Sequence, residues 1–192
     1  SKPVFVVEGI FDYISLRQWG FQGVATLGTS LKADTARRLA RAPFTLFVPD
    51  NDEAGGGALA RWRRRVGQGV ALRLPDGVGD VNDLMDEERP QAAFEDILTA
   101  DLVVVTTTLE DYVRLWRWGY QAVAAVDQLK KGDRQWLLRA RRVVFVPNTR
   151  QAERRVRRWQ EEVTGSRVVS LPAGENLETL GEAGFRNAVA GV

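Results

Sequence analysis

Three acidic residues at two places in the chain carry the first chemical signal. Glu8 follows the apolar run VFVV (4–7), and Asp50 and Asp52 stand in VPDNDEAG (48–55) at the end of a second apolar run. Two carboxylates two residues apart, joined by a third from a separate segment, offer only hard oxygen donors. That donor set suits a divalent cation such as Mg2+ or Mn2+. Crowded like charges raise one another's pKa, and a bound cation removes the repulsion. A plainer reading is that Asp50 and Asp52 cap the next helix, because an Asp ahead of a helix accepts its free N–H groups. On these residues alone both readings stand.

Composition removes the competing chemistries. The 192 residues include no Cys and no His, which excludes disulfides, Cys/His zinc sites, Ser-His-Asp triads and Cys nucleophiles. A hydrophobic content of 44% is enough for one large core or two small ones. No apolar run approaches the roughly 20 residues of a bilayer span, and no signal-peptide pattern opens the chain. The expectation is a cytoplasmic protein without a membrane partner. The chain starts at Ser1 directly before a strand, as expected of a piece of something longer. Charge is uneven: 12 basic against 14 acidic residues in 1–99, and 15 against 11 in 100–192. Of the 27 basic residues 23 are Arg, which fits either a compositional bias or phosphate binding, since the guanidinium fork matches phosphate oxygens.

The elements that must position the acids follow from periodicity. Short β-branched runs at 4–9, 23–28, 44–50 and 69–75 alternate with helical spacing at 11–20, 32–42 and 53–67. This βα alternation predicts an α/β fold, a mostly parallel sheet with flanking helices. Gly20 and Gly67 stand where helices stop. In such a sheet, ligands bind beyond the carboxyl ends of the strands, which is where Glu8, Asp50 and Asp52 fall. Gly9 is expected to allow a tight turn after Glu8. Gly28, Thr29 and Ser30, followed by Lys32, read either as a phosphate-contacting loop or as an ordinary strand-to-helix turn. Gly55 to Gly57 mark close approach or a weakened first turn. Asp80, Asn82 and Asp83 in GVGDVNDLMDEE (77–88) either reach the same edge or cap a helix starting near Asn82, and residues 86–100 read as the last helix of this unit.

The unit is then written a second time. At an offset of 99, residues 4–25 and 103–124 agree at ten of 22 positions, among them Asp12/Asp111, Tyr13/Tyr112, Trp19/Trp118 and Gly20/Gly119. FVPDND (47–52) returns as FVPNTR (145–150), and LRLP (72–75) as VSLP (169–172). The expectation is an internal duplication into two directly packed lobes, 1–99 and 100–192, stacked or side by side. Across it Glu8 becomes Thr107, Gly9 becomes Thr108, Asp50 becomes Asn148 and Asp52 becomes Arg150, so the second lobe loses every acid while keeping the core pattern. RQAERRVRRWQEE (150–162) places Arg150, Arg154, Arg157 and Arg158 at helical spacing. That face either pairs with Glu153, Glu161 and Glu162 or contacts nucleic-acid phosphates. The tryptophans repeat (Trp19/Trp118, Trp62/Trp159) and read as packing, as do Tyr13, Tyr112 and Tyr120.

VVEGIFDYISL, ATLGTS and FVPDNDEAG, in this order and spacing, resemble the Toprim domain shared by primases, type IA and type II topoisomerases, OLD-family nucleases and RecR proteins. The LGTS turn, the D-x-D-x-A-G continuation and DVNDL make the segment 3–98 most similar to DnaG-type primases. The resemblance implies a Rossmann-like Toprim sheet, followed here by a degenerate second Toprim-like repeat. It implies metal-dependent nucleotidyl transfer: RNA primers made from ribonucleoside triphosphates on a single-stranded DNA template. Asp50 and Asp52 would hold Mg2+ or Mn2+, Glu8 would complete the site, Asp12 fits the supporting acid and Asp80 the trailing one. Asn82 stands where such sequences often carry a second Asp. A replicative helicase is a partner of these primases through domains outside this sequence. Their N-terminal template-binding subdomain does not precede Lys2 either, so this piece is expected to bind metal and prime poorly alone. A Toprim nuclease and a non-catalytic nucleic-acid-binding module are the competing readings.

Overall fold

Runs such as Val4–Val7 and Leu102–Thr106, too short for a helix and rich in β-branched residues, are buried on both faces, as central parallel strands require. The computed structural model describes residues 2–99, 101–173 and 175–191; the expected lobe ends at 1, 100 and 192 lie outside the described residues. The first half runs β1 (Val4–Val7), α1 (Ile10–Gln18), β2 (Gln22–Ala25), α2 (Ala33–Leu39), β3 (Thr45–Phe47), α3 (Glu53–Val66) and β4 (Val70–Ala71). A 3-10 turn (Asn82–Asp86) and α4 (Pro90–Leu98) follow. The second half runs β5 (Leu102–Thr106), α5 (Leu109–Arg117), β6 (Gln121–Ala124), α6 (Lys131–Leu137), β7 (Arg142–Val146), α7 (Arg150–Glu162), β8 (Arg167–Val168) and α8 (Leu177–Ala190).

The strands end earlier than their apolar runs suggest. β1 stops at Val7 and β3 at Phe47, which frees Glu8 and Asp50 from sheet pairing. The helix expected near Asn82 is only the short 3-10 turn, and α4 starts at Pro90 instead of 86, with the proline in the first turn where its missing N–H costs nothing. Gly67 (φ 79°) closes α3 in the left-handed region, and Gly20 (φ 79°) follows the cap of α1.

Among the described residues the eight strands form one sheet in the order β2-β1-β3-β4-β6-β5-β7-β8. Each half has the same internal order and register: Val4 pairs with Gln22 and Thr45, and Val103 with Gln121 and Val143. Every neighbour is parallel except β4 and β6, which meet antiparallel with Val70 opposite Val123. The second half therefore points the other way. The carboxyl ends of β5 and β7 lie on the edge opposite those of β1 and β3.

The helices obey the same reversal. One face of the sheet carries α1, α4, α6 and α7, through Leu16, Phe94, Trp136 and Trp159. The other carries α2, α3, α5 and α8, through Leu39, Trp62, Trp116 and Phe185. α1 and its counterpart α5 thus lie on opposite faces. A half-turn about an axis in the sheet plane, across the strands, combined with a shift of four strand positions along it, takes one half onto the other.

Both apolar layers run across the join. Trp62, Tyr112 and Trp116 are fully buried, and each large apolar side chain removed from water contributes roughly 1.5–3 kcal/mol. The indole N–H of Trp116 donates to the Leu72 carbonyl at 3.0 Å, and the Tyr112 hydroxyl to the Gly69 carbonyl at 3.4 Å. Arg63 of α3 pairs with Asp133 of α6 at 2.8 Å, where both are buried, and Asp133 also accepts the Gly69 N–H at 2.7 Å. Trp136 and Trp159 are buried as well, so the tryptophans serve packing. Among the described residues no helix is long and apolar enough to cross a membrane.

Candidate metal centre

β1 delivers Glu8 and β3 delivers Asp50 to neighbouring positions on one sheet edge, because the two strands are paired in parallel with Val6 opposite Phe47. The Asp50 N–H donates to Glu8 Oε1 at 3.4 Å. Burial is the main influence raising the Glu8 carboxyl; Asp52 and Asp12 add to it, while the Asp50 N–H and the Arg61 guanidinium oppose it. Asp50 is pushed up to about 7, first by burial and then by the charges of Glu8, Asp12, Asp80 and Asp52. The five acids singled out in the sequence therefore lie within one another's electrostatic reach.

Their local roles differ. Asp52 is the N-cap of α3 and accepts the Gly55 N–H at 2.6 Å, so the capping role is realised for this residue. Asp12 is buried, and both of its oxygens are engaged: Oδ2 accepts the Gly9 N–H at 2.9 Å and Oδ1 the Asn82 N–H at 3.0 Å. Burial raises its pKa against the pull of these N–H groups. Asp12 thereby ties the turn after Glu8 to the 77–86 segment. Asp80 and Asp83 cap each other's backbone, with the Asp83 N–H at 2.9 Å from Asp80 Oδ1 and the Gly79 N–H at 2.8 Å from Asp83 Oδ2. Ser15 donates to Asn82 Oδ1 at 3.2 Å, so Asn82 serves the same tie.

Gly9 does not need the left-handed region, since its φ is −89°. It is small because a Cβ would stand 2.7 Å from Asp12 Oδ2. Asn51, between the two aspartates, carries a role the sequence did not suggest. Its amide donates to the carbonyls of Leu74, Pro75 and Val78, and its backbone N–H to Gly79, which binds the 74–79 loop to the end of β3. Asx side chains are readily read as turn formers, and nothing in VPDND announces a partner more than twenty residues away.

The turn before α2 reaches the same edge. The Thr26 N–H donates to the Val7 carbonyl at 2.9 Å and the Leu27 N–H to the Glu8 carbonyl at 3.0 Å. Leu27 takes a positive φ of 56° ahead of Gly28 at 121°. Arg61 Nε donates to the Thr29 carbonyl at 3.3 Å and Arg65 to that of Leu31 at 2.6 Å, so α3 holds this turn in place. Ser30 and Lys32 are exposed, and Lys32 is the residue that leads into α2.

The counterparts in the second half sit on the far edge. Thr107 donates to Asn148 Oδ1 at 2.7 Å, and the Asn148 N–H returns to Thr107 Oγ1 at 3.4 Å. A neutral hydrogen-bonded pair occupies the place that Glu8 and Asp50 hold in the first half. Arg154, Arg157 and Arg158 are exposed on α7, and Glu162 pairs with Arg134 instead of with them. β7 is five strand positions from β1, about 24 Å at the usual strand spacing, so these arginines are remote from the acids. A cavity of about 840 Å3 between α1, α4 and α6, lined by Trp19, Phe21, Trp136 and Arg139, contains none of the acids either.

The donor chemistry fits a hard divalent cation: every side chain is a carboxylate, and their mutual repulsion is what a cation relieves. Among the described residues no three acids converge closely enough to ligate one ion as they stand. Asp52, turned to its own helix, accounts for part of that. Residues 5–85 match the family model described as Toprim-like. Among curated proteins and solved structures there is no match. The matched segment runs from β1 into the 3-10 turn and contains Glu8, Asp12, Asp50, Asp52 and Asp80. The likeness to a Toprim-like domain is thus confined to residues 5–85, the half of the chain that carries the acids.

Proposed function

We propose that the protein is the catalytic segment of a DnaG-type primase, joining ribonucleotides into RNA primers on single-stranded DNA with Mg2+ or Mn2+. The observation that carries this reading is the gathering of Glu8, Asp50, Asp52, Asp12 and Asp80 at one sheet edge, with Asp50 pushed up to about 7 by burial and its acidic neighbours. The 26–32 turn is tied to the Glu8 backbone and braced by Arg61, which places its polar residues beside the acids. Gly28, Thr29, Ser30 and Lys32 meet the nucleotide's phosphates there.

Asp50 and Asp52 would hold the cation once Asp52 turns from the Gly55 N–H, and Glu8 would complete the site and take the proton of the attacking 3′-hydroxyl. When bound, the metal supplies charge stabilisation to the attacking and leaving oxygens. Asp12 acts as a positioning residue, since both its oxygens hold backbone N–H groups. Asp80 adds negative charge behind Asp50 and Asp12. The lobes 1–99 and 100–192 are duplicated Toprim-like units, and the second keeps the fold without the acids. Arg154, Arg157 and Arg158 contact single-stranded DNA away from the centre, and a replicative helicase is engaged outside this sequence.

The test is synthesis by the full-length protein on single-stranded DNA with ribonucleotides and Mg2+ or Mn2+, comparing wild type with Glu8→Gln and Asp50→Asn. Oligoribonucleotides made by the wild type and reduced at least 100-fold in both variants support the reading. Template nicking that both substitutions abolish selects a nuclease instead. Neither product from the wild type, with DNA still bound, selects a non-catalytic module.

A further inference from the structure

The run Gly55-Gly56-Gly57 opens α3 with three glycines in a row, a poor choice for helix stability. Each has a different neighbour. A Cβ on Gly55 would stand 2.0 Å from the Asp50 carbonyl oxygen, so this glycine lets the helix start against the acid loop. A Cβ on Gly57 would stand 3.2 Å from a terminal nitrogen of Arg61, whose side chain folds back along the helix towards its start. A Cβ on Gly56 would stand 3.1 Å from both Nε and Nη2 of Arg117, and Arg117 belongs to α5, in the second half.

Two guanidinium groups therefore lie on the first turn of α3, one from each half. The Gly56 N–H donates to the Asp52 carbonyl at 3.3 Å, which sets Arg117 one turn from that acid. Arg61 is close enough to Glu8 to oppose the rise in its pKa, and its one hydrogen bond, from Nε to Thr29, leaves the terminal nitrogens uncommitted. Arg117 is exposed, and its guanidinium has no hydrogen-bond or ion-pair partner among the described residues. The reversal of the second half is what brings it here. α5 starts beyond the carboxyl end of β5, on the far edge, and its last turn arrives at the edge that carries the acids.

We propose that Arg61 and Arg117 form a two-armed phosphate clamp beside the carboxylates, so that the second half completes the substrate site in cis. The ligand is a chain of linked phosphates, either the triphosphate of a nucleotide or the phosphodiester backbone of a strand. Guanidinium forks suit both, because each presents parallel N–H donors to paired oxygens. The clamp rests on the metal-centre reading, since a polyanion approaches five carboxylates only when a cation offsets their charge. It gives the second half a role other than packing.

The test uses the full chain with Mn2+ and two probes: tripolyphosphate by titration calorimetry, and a labelled single-stranded oligodeoxynucleotide by fluorescence anisotropy. Mn2+ binding itself is followed separately by electron paramagnetic resonance, which reads the acids and not the arginines. Arg117→Ala is expected to leave Mn2+ binding and the melting temperature unchanged and to weaken tripolyphosphate about tenfold, the size of one charge-assisted hydrogen bond. Arg117→Lys falls between, keeping the charge without the fork. Gly56→Ala, whose added methyl displaces the same guanidinium, reproduces the loss. A loss confined to the oligonucleotide supports the clamp and assigns it to strand phosphodiesters. Unchanged affinity of Arg117→Ala for both probes overturns the clamp while intact Mn2+ binding leaves the centre standing. A wild type that binds no Mn2+ overturns both.

Discussion

The fold opposes the ionisation of Asp50, and this has a measurable sign. Its folded pKa of about 7 lies well above the ordinary 3.8, so in the metal-free protein the folded state binds the proton more tightly than the unfolded one. Stability from this group is fully present below pH 4 and is lost as pH rises through 7. Asp50→Asn removes that dependence. In chelator, the variant should be more stable than wild type at pH 8, by on the order of 1 kcal/mol given the partly exposed site, and the difference should vanish near pH 4. With Mn2+ added at pH 8 the order should reverse, because the wild type gains binding energy that the variant cannot. Denaturant midpoints at the two pH values, with and without Mn2+, decide this; a variant less stable in chelator at pH 8 would contradict it. The acids themselves were legible as residue types at strand ends. The division of labour among them was not: Asp12 is spent on Gly9 and Asn82, and that depends on a 70-residue separation closing in space.

At the scale of elements, the junction of β3 with α3 concentrates the constraints. FVPDNDEAGGG reads in sequence as a strand, a turn and a helix with a weak start, and the glycines are ambiguous between flexibility and close approach. The structure resolves the ambiguity in favour of approach, because each glycine has a named neighbour. Alternation and glycine stops gave the order of strands and helices. Their carboxyl ends ran short because pairing is decided by the neighbouring strand, as where β4 keeps only Val70 and Ala71. Gly55→Ala tests the junction. Alanine is the better helix former by about 1 kcal/mol, so a solvent-exposed glycine here would be stabilised by the change. Instead a Cβ 2.0 Å from the Asp50 carbonyl oxygen must push the loop away. We expect a loss of 2 kcal/mol or more, in the usual range of overpacking, together with Mn2+ affinity at least tenfold weaker. A gain in stability with unchanged Mn2+ binding would show that the helix start and the acid loop are not in contact.

At the scale of the molecule, the two halves share a strand order and a register yet face opposite ways, and no pattern of residues announces that reversal. Periodicity encodes which face of an element is apolar, not the direction in which a second unit docks on the first; the antiparallel β4–β6 pairing is set by two residues on each strand. The consequence is that neither half closes its own core. β4 depends on β6 for its second neighbour, and Arg63 is buried in the first half with its countercharge, Asp133, in the second. Replacing Asp133 by Ala strands a buried guanidinium, a change that usually costs about 3–5 kcal/mol, whereas removing both charges is often close to neutral. Asp133→Ala should therefore lower the urea midpoint of the whole chain in a single cooperative transition, and Arg63→Met with Asp133→Ala should recover most of the loss. If the halves were independent, the same substitution would split the transition into two steps. Tryptophan fluorescence and circular dichroism followed on one sample separate these outcomes, because coincident curves require the halves to unfold together.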